Sequence, residues 1–455
     1  MAKRMSLSLK PYAGAFVFIS LDTVFVLNAF LFRLAAFILK KLHYPLQLKF
    51  GVYGNYLCGL AIFIVLPLLS WVDNACSPHL HIEVLVHLFA MGSYYISLAS
   101  LVERSRVYLE SHSLPTLLTP FAKELRDECN KLFLIPWFVC NFVSIPFLFV
   151  LLLFPVKWYT YMFAVYSARK LYYFVEDLHH NDMHNAIMSV GERGNVNVYN
   201  MFLRCSHFLF HNWTLLLHGR IKYRYEVQHI CCHHVENNGL DDLESTLWYD
   251  RSSIWDFSKF ACWMIWYQLT HISLADYLYS RKKWKGLKLL GLGLSQFVCC
   301  CLFLFTVEIT LFFIFLQVWW SYVAAFDAWY WHCFNDVTIN DLIYGNSMCL
   351  KKPGWCNSGD HIAHHIRPSL EWYKVPKLIE EKRNQYQSFG PLIFHFKDEK
   401  FFYHLMCRDF TKLESSLVSH THIPKEKGVT LLMKATAKMN NQEEHQTDAE
   451  MQTFD

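Results

Sequence analysis

The sequence is short of charge. Asp, Glu, Lys and Arg make up 18% of its 455 residues, against a usual ~25%. Apolar residues reach 54% and aromatics 17%. A chain of this length ordinarily makes two or three soluble domains, and this composition argues against that. The net charge of +4 is too small to suggest a nucleic-acid partner. No glycine-rich phosphate loop, dinucleotide fingerprint or internal repeat is present, so nucleotide-dependent chemistry has no sequence support. Behind the basic residues 1–10 there is no clear small-x-small cleavage site. The apolar stretch that follows is too long for a signal-peptide core, so it reads as a retained anchor. No common lipidation or retrieval signal closes the sequence. Cysteine is not scarce, at 15 residues. Many of these lie inside apolar runs, such as Cys299, Cys300 and Cys301, where cysteine acts as a small buried hydrophobe. No disulfide framework is expected.

What is plentiful is long uncharged sequence. Candidate spans lie at residues 12–32 (with Asp22 inside), 52–72 and 84–102 (with His87 inside). A fourth, at 132–156, is kinked by Pro136 and Pro146, and residues 158–175 continue apolar. Each approaches or reaches the ~20 residues a helix needs to cross ~30 Å of hydrocarbon. Residues 201–217, with His207, His211 and His218, are amphipathic and read as an interfacial helix. Residues 260–275 read as interfacial or partly buried. Residues 286–331 amount to about 69 Å of helix, enough for two crossings. Glu308 near the middle is placed at the far-side turn. Such a hairpin returns the chain to the side it left. Residues 425–455 are charged and poor in aromatics, and disorder is expected there. The expected fold is an all-α integral membrane protein, a multi-span helical bundle with a histidine-rich cap. Its parts are an N-terminal transmembrane region (1–157), a histidine-bearing domain (158–424) and a polar tail (425–455).

Three histidine clusters carry the chemistry. The first is His179-His180-Asn181-Asp182-Met183-His184, the second His229-Ile230-Cys231-Cys232-His233-His234, the third His361-Ile362-Ala363-His364-His365. On a helix, residues three or four apart share a face. His180 and His184 are so spaced, as are His229 and His233, and His361 and His364. In the first cluster His179 is an alternative start. Imidazole suits iron, zinc, copper and nickel. Eight converging histidines exceed the four ligands of one tetrahedral zinc and suit two metal ions. The hairpin puts the second and third clusters on one side of a membrane, as a shared site requires.

HxxxH, then HxxxHH, then HxxHH, with a hairpin between the last two, resembles the membrane-bound fatty acid desaturase and hydroxylase superfamily. The run from His233 through Asn237, Asp241 and Asp242 to Ser245-Thr246 is similar to that family's HHxxxN…D…ST segment. Gly359-Asp360-His361-Ile362-Ala363-His364-His365-Ile366-Arg367-Pro368 resembles its third box. The likeness covers roughly residues 159–376. It implies a di-iron site in a cytosolic cap, with dioxygen as co-substrate. The implied ligands are His180, His184, His229, His233, His234, His361, His364 and His365. His332, at the end of the second hairpin helix, is implied as a further one. Asp182, Glu236, Asp241 and Asp242 are candidates to accept ring N–H bonds from ligating histidines. No haem-binding HPGG motif is present, so the resemblance implies a separate electron donor of the cytochrome b5 or ferredoxin type.

The reading is therefore an oxygen-dependent desaturase of fatty acyl lipids. It would sit in the endoplasmic reticulum membrane of a eukaryote or the inner membrane of a bacterium. A hydroxylase of the same superfamily is the alternative, since three residues between His229 and His233 are as in alkane hydroxylases. A zinc-binding membrane protein is the third reading, with Cys231, Cys232, Cys349 and Cys356 as possible thiolates. Against it, the boxes lie beyond the span ends, whereas carriers keep such residues inside spans.

Overall fold

The computed structural model describes residues 114, 116–141, 175–189, 197–303, 305–335, 339, 341–347, 349–350, 359–389, 391–395, 399–418 and 432–437. These all belong to one compact unit, Tyr95–Asp455. The expected spans at 12–32, 52–72 and 84–102, and most of 132–156 and 158–175, lie outside the described residues.

The described chain is mostly helical. Helix α1, described over residues 175–185, carries the first histidine cluster. Helix α2, Val198–Leu209, starts where the Asn197 side chain accepts the Asn200 N–H, a regular N-cap. It widens into a π-turn at Phe210–Thr214. Helix α3, Arg224–Gln228, runs into a second π-turn, His229–His233, and then His234–Glu236. Helix α4, Ile254–Thr270, is capped by Ser253 and ends at His271, whose φ is 59°. Helix α5, Ile272–Ser280, follows at once. One short parallel pair, Cys349–Leu350 with Ile393–Phe394, interrupts the otherwise helical pattern.

Among the described residues, two helices are long and apolar enough to cross a membrane: α6, Trp284–Phe303, and α7, Val307–Trp331. At 1.5 Å per residue they measure about 30 and 37 Å. Residues 305 and 306 between them are not helical and lie beside Glu308, and the Thr306 hydroxyl caps α7. Exposed Leu292, Val298, Leu302, Phe303, Val307, Leu311 and Ile314 form an apolar surface near that turn. Contiguous apolar surface of this kind marks contact with another apolar phase. Gly293 lets α6 approach the loop before α3, since a Cβ there would collide with the Lys222 carbonyl oxygen.

The opposite half of α7 is buried. Its Trp329 packs on Phe257 and Phe260 of α4, each at 5.4 Å between ring centroids. This aromatic core fixes the C-terminal end of α7, and Trp331 there stacks on His361 at 4.9 Å. Residues 432–437 lie in the tail expected to be disordered, yet they dock here. Leu432 and Ala435 are buried, and the Arg251 guanidinium donates to the Ala435 and Ala437 carbonyls at 2.9 and 2.7 Å. A buried guanidinium needs such acceptors, and a short apolar turn supplies them.

Candidate metal centre

The third cluster folds as helix α8, His361–Ile366. The Asp360 side chain caps it and also accepts the Tyr386 hydroxyl at 2.9 Å. α8, α1, the π-turn of α3 and the end of α7 then bring their imidazoles together as two groups. His180, His184, His229 and His364 form one, and His233, His332, His361 and His365 the other. Within each group, one nitrogen per residue lies within 4.8 Å of all the others. Both groups could hold a metal ion.

The clusters and the groups do not correspond one to one. His229 joins the first group and His233 the second, although they are four apart. In α8, His361 joins His365 in the second group, while His364, the expected companion of His361, turns to the first. His234 stands between the groups. Its Nε2 is 3.0 Å from that of His229, and its ring is 4.5 Å from His364 and 4.8 Å from His365. The π-turn explains this: its wider coil brings residue i+5 near residue i, so His234 lies against His229.

Several nitrogens face one another directly. Nε2 of His180 lies 3.1 Å from Nε2 of His229, and Nε2 of His361 lies 3.0 Å from His332 and 3.1 Å from His365. Nε2 of His184 and of His364 are buried without any hydrogen-bond partner. Buried polar atoms are normally paired, and a bound metal ion would satisfy both. Burial, with the neighbouring imidazoles, pushes the pKa values of His180, His229, His361, His364 and His365 well below the ordinary value. The same causes bring His184 to about 4. These rings are neutral near pH 7, the form that ligates metal.

Two rings are held by their other nitrogen. Asp242 accepts from His233 Nδ1 at 2.7 Å, and Asn237 pairs with His365 Nδ1 at 3.0 Å. Burial opposes charge on His233, but the Asp242 carboxylate outweighs it and raises its pKa. Both partners lie in the turn after the second cluster. There Asn237 and Asn238 take positive φ, 48° and 59°, which asparagine tolerates. A Cβ at Gly239 would crowd the Glu236 carbonyl. Thr246 closes the turn by donating to the His332 carbonyl at 2.7 Å.

The other expected acids sit elsewhere. Asp241 is exposed and pairs with Arg281 at 2.7 Å, while Glu236 accepts the Tyr277 hydroxyl at 2.5 Å. Asp182 accepts from His207 at 3.0 Å and His211 at 2.7 Å, not from a histidine of either group. Burial would raise its pKa, but those two bonds hold it well below the ordinary carboxylate range. It thereby ties α1 to α2. His179, the alternative start of the first cluster, instead meets Glu226 at 3.2 Å. The role of His207 and His211 went unread in the sequence, although their spacing of four was a usable signal. Among the described residues no cysteine belongs to these groups. Cys231 and Cys232 take no part, Cys349 lies beside Asp360, and Cys356 lies outside the described residues.

Compared with known proteins, the chain matches no protein-family model, no curated protein and no solved structure.

Proposed function

We propose that this protein is a membrane-embedded, oxygen-dependent di-iron oxidase of lipid acyl chains, acting as a desaturase. The observation that carries the reading is the meeting of two four-histidine groups, joined by His234, at the end of a membrane-length helix. The facing ring nitrogens, at 3.0 and 3.1 Å within the groups, are close enough to bind one ion together, and imidazole suits iron. The all-imidazole donor set of the described groups also disfavours zinc–thiolate chemistry.

Two bound iron ions would supply the power, drawn from dioxygen, to break an unactivated C–H bond. The chain's own part is to keep the imidazoles buried and aimed. Asp242 and Asn237 lock the rings of His233 and His365. The aromatic core of α4 and α7 holds His332 against α8. The exposed apolar surface of α6 and early α7 gives access to a lipid phase, with the histidine groups on the cytosolic side. Electrons come from a separate donor of the cytochrome b5 or ferredoxin type. A hydroxylase is the second reading, favoured by the three-residue spacing between His229 and His233.

The test is metal analysis of detergent-purified protein, wild type beside His364→Ala, followed by lipid profiling of cells expressing each. The expected result is close to two irons per chain, reduced in the variant, and oxygen-dependent double bonds only with the wild type. New hydroxyl groups would select the second reading. Folded protein without metal, or iron-loaded protein without any oxygen-dependent product, would overturn both.

A further inference from the structure

The helical turn at residues 432–437 docks where α7 ends. Leu432 and Ala435, three apart and so on one face, join the apolar core that holds Trp329 and Phe334. Its backbone does the rest. The Ala435 carbonyl oxygen accepts two bonds, from the Arg251 guanidinium at 2.9 Å and from the Asn335 N–H at 2.7 Å. The Thr436 carbonyl accepts the Arg251 N–H at 2.8 Å, and the Ala437 carbonyl a second guanidinium bond at 2.7 Å. Asn335 stands three residues beyond His332, so the turn holds the chain just past that histidine.

Arg251 carries the hold inward. Its other terminal nitrogen donates to the Thr246 carbonyl at 3.2 Å, and the Thr246 hydroxyl donates to the His332 carbonyl at 2.7 Å. The Thr246 N–H donates to the Asn238 side chain at 2.9 Å. The Asn238 N–H in turn donates, at 3.1 Å, to the Asp242 oxygen that accepts from His233. Arg251, Thr246, Asn238 and His332 are at most 1% exposed, so bulk water does not replace a partner lost from this chain of bonds. Both histidines reached in this way, His332 and His233, belong to the second group. No bond of the set ends on His180, His184, His229 or His364 of the first.

We infer that the C-terminal turn and Arg251 are positioning elements for one of the two metal sites. The turn fixes Arg251 and Asn335. Through Thr246, Asn238 and Asp242 that hold reaches His332 and His233 and keeps them aimed at the second group's ion, while the first group stands independent of it. The inference rests on the reading of the histidine groups as metal sites. Groups that orient a ligand from behind are typically worth 10–100-fold in metal affinity. The turn acts through such groups, so an effect of about tenfold is expected, confined to the second site.

The experiment measures iron(II) affinity of the full-length protein in detergent, by anaerobic chelator competition, in two backgrounds. His364→Ala leaves the second group's ion to be read, and His361→Ala leaves the first group's. Leu432→Asp is added to each, because a carboxylate in place of a fully buried side chain undocks the turn. Affinity is expected to fall about tenfold in the His364→Ala background and to stay within about twofold in the His361→Ala background. Arg251→Gln is expected to give the same one-sided loss, and it carries the comparison should Leu432→Asp fail to fold. An equal loss at both sites, or no loss at either, overturns the inference and leaves the metal reading intact. Failure of both variants to fold would mean that the turn holds the whole domain and not one site, and overturns it as well. Wild type that binds no iron removes the metal reading and this inference with it.

Discussion

At the scale of single residues, the division of labour among the histidines is the sharpest result. His364 and His361 are neighbours on α8 yet belong to different groups. His364→Ala should therefore lose about one metal of two while the second group keeps its own, and His361→Ala should show the converse. Metal content with anomalous diffraction separates the two cases. Asp242 aims the His233 ring, and such partners are typically worth 10–100-fold in metal affinity. Asp242→Asn is expected to weaken metal binding by about that much with an unchanged helical circular dichroism spectrum. Glu244 is buried, and burial raises its carboxyl to about 7 from 4.5. In the unfolded chain it ionises near 4.5, so the folded state loses relative stability as pH rises from there to about 7. Glu244→Gln keeps the acceptor for the Gln228 amide and removes that loss. Denaturation midpoints of variant and wild type should agree below pH 4.5 and separate in the variant's favour by pH 8. The acids near the clusters were visible in the sequence as a set. Asp242 alone among them reaches a clustered histidine, because the left-handed Asn237 and Asn238 fold the turn back, while Asp182 is drawn to His207 and His211.

At the scale of elements, the two long apolar helices α6 and α7 were legible. Length and the lack of charge in 286–331 dictate two membrane-length helices, and the non-helical residues 305 and 306 fall beside Glu308 as expected. The two π-turns were not legible. A one-residue widening leaves no hydrophobic period to read, yet it sets His234 against His229. Close packing of α6 depends on Gly293, where any side chain meets the Lys222 carbonyl. Gly293→Val is expected to destabilise the fold by about 1–3 kcal/mol, as overpacking does, and to lower the thermal midpoint in detergent. An unshifted midpoint would mean that the approach of α6 to that loop is not tight.

At the scale of the whole molecule, sidedness is what matters. Asn212-Trp213-Thr214 is the one N-x-S/T pattern in the sequence, and it lies between the first and second clusters. With the histidine groups on the cytosolic side, Asn212 stays unglycosylated in a eukaryotic cell. A glycan there, detected by a mobility shift on deglycosylation, would place the groups in the lumen. The sequence by itself determined the helical class and two membrane-length apolar helices, and it put forward eight histidines that the structure gathers into two groups, because apolar run length and residue spacing along one helix are local quantities. Only the tertiary structure decided how the three clusters divide into two groups, which acid aims which ring, and that a cavity opens against them. Those outcomes depend on contacts between segments up to about 180 positions apart, such as His180 with His364 at 4.7 Å. No local pattern encodes them, because they arise only when α1, α3, α7 and α8 pack against one another.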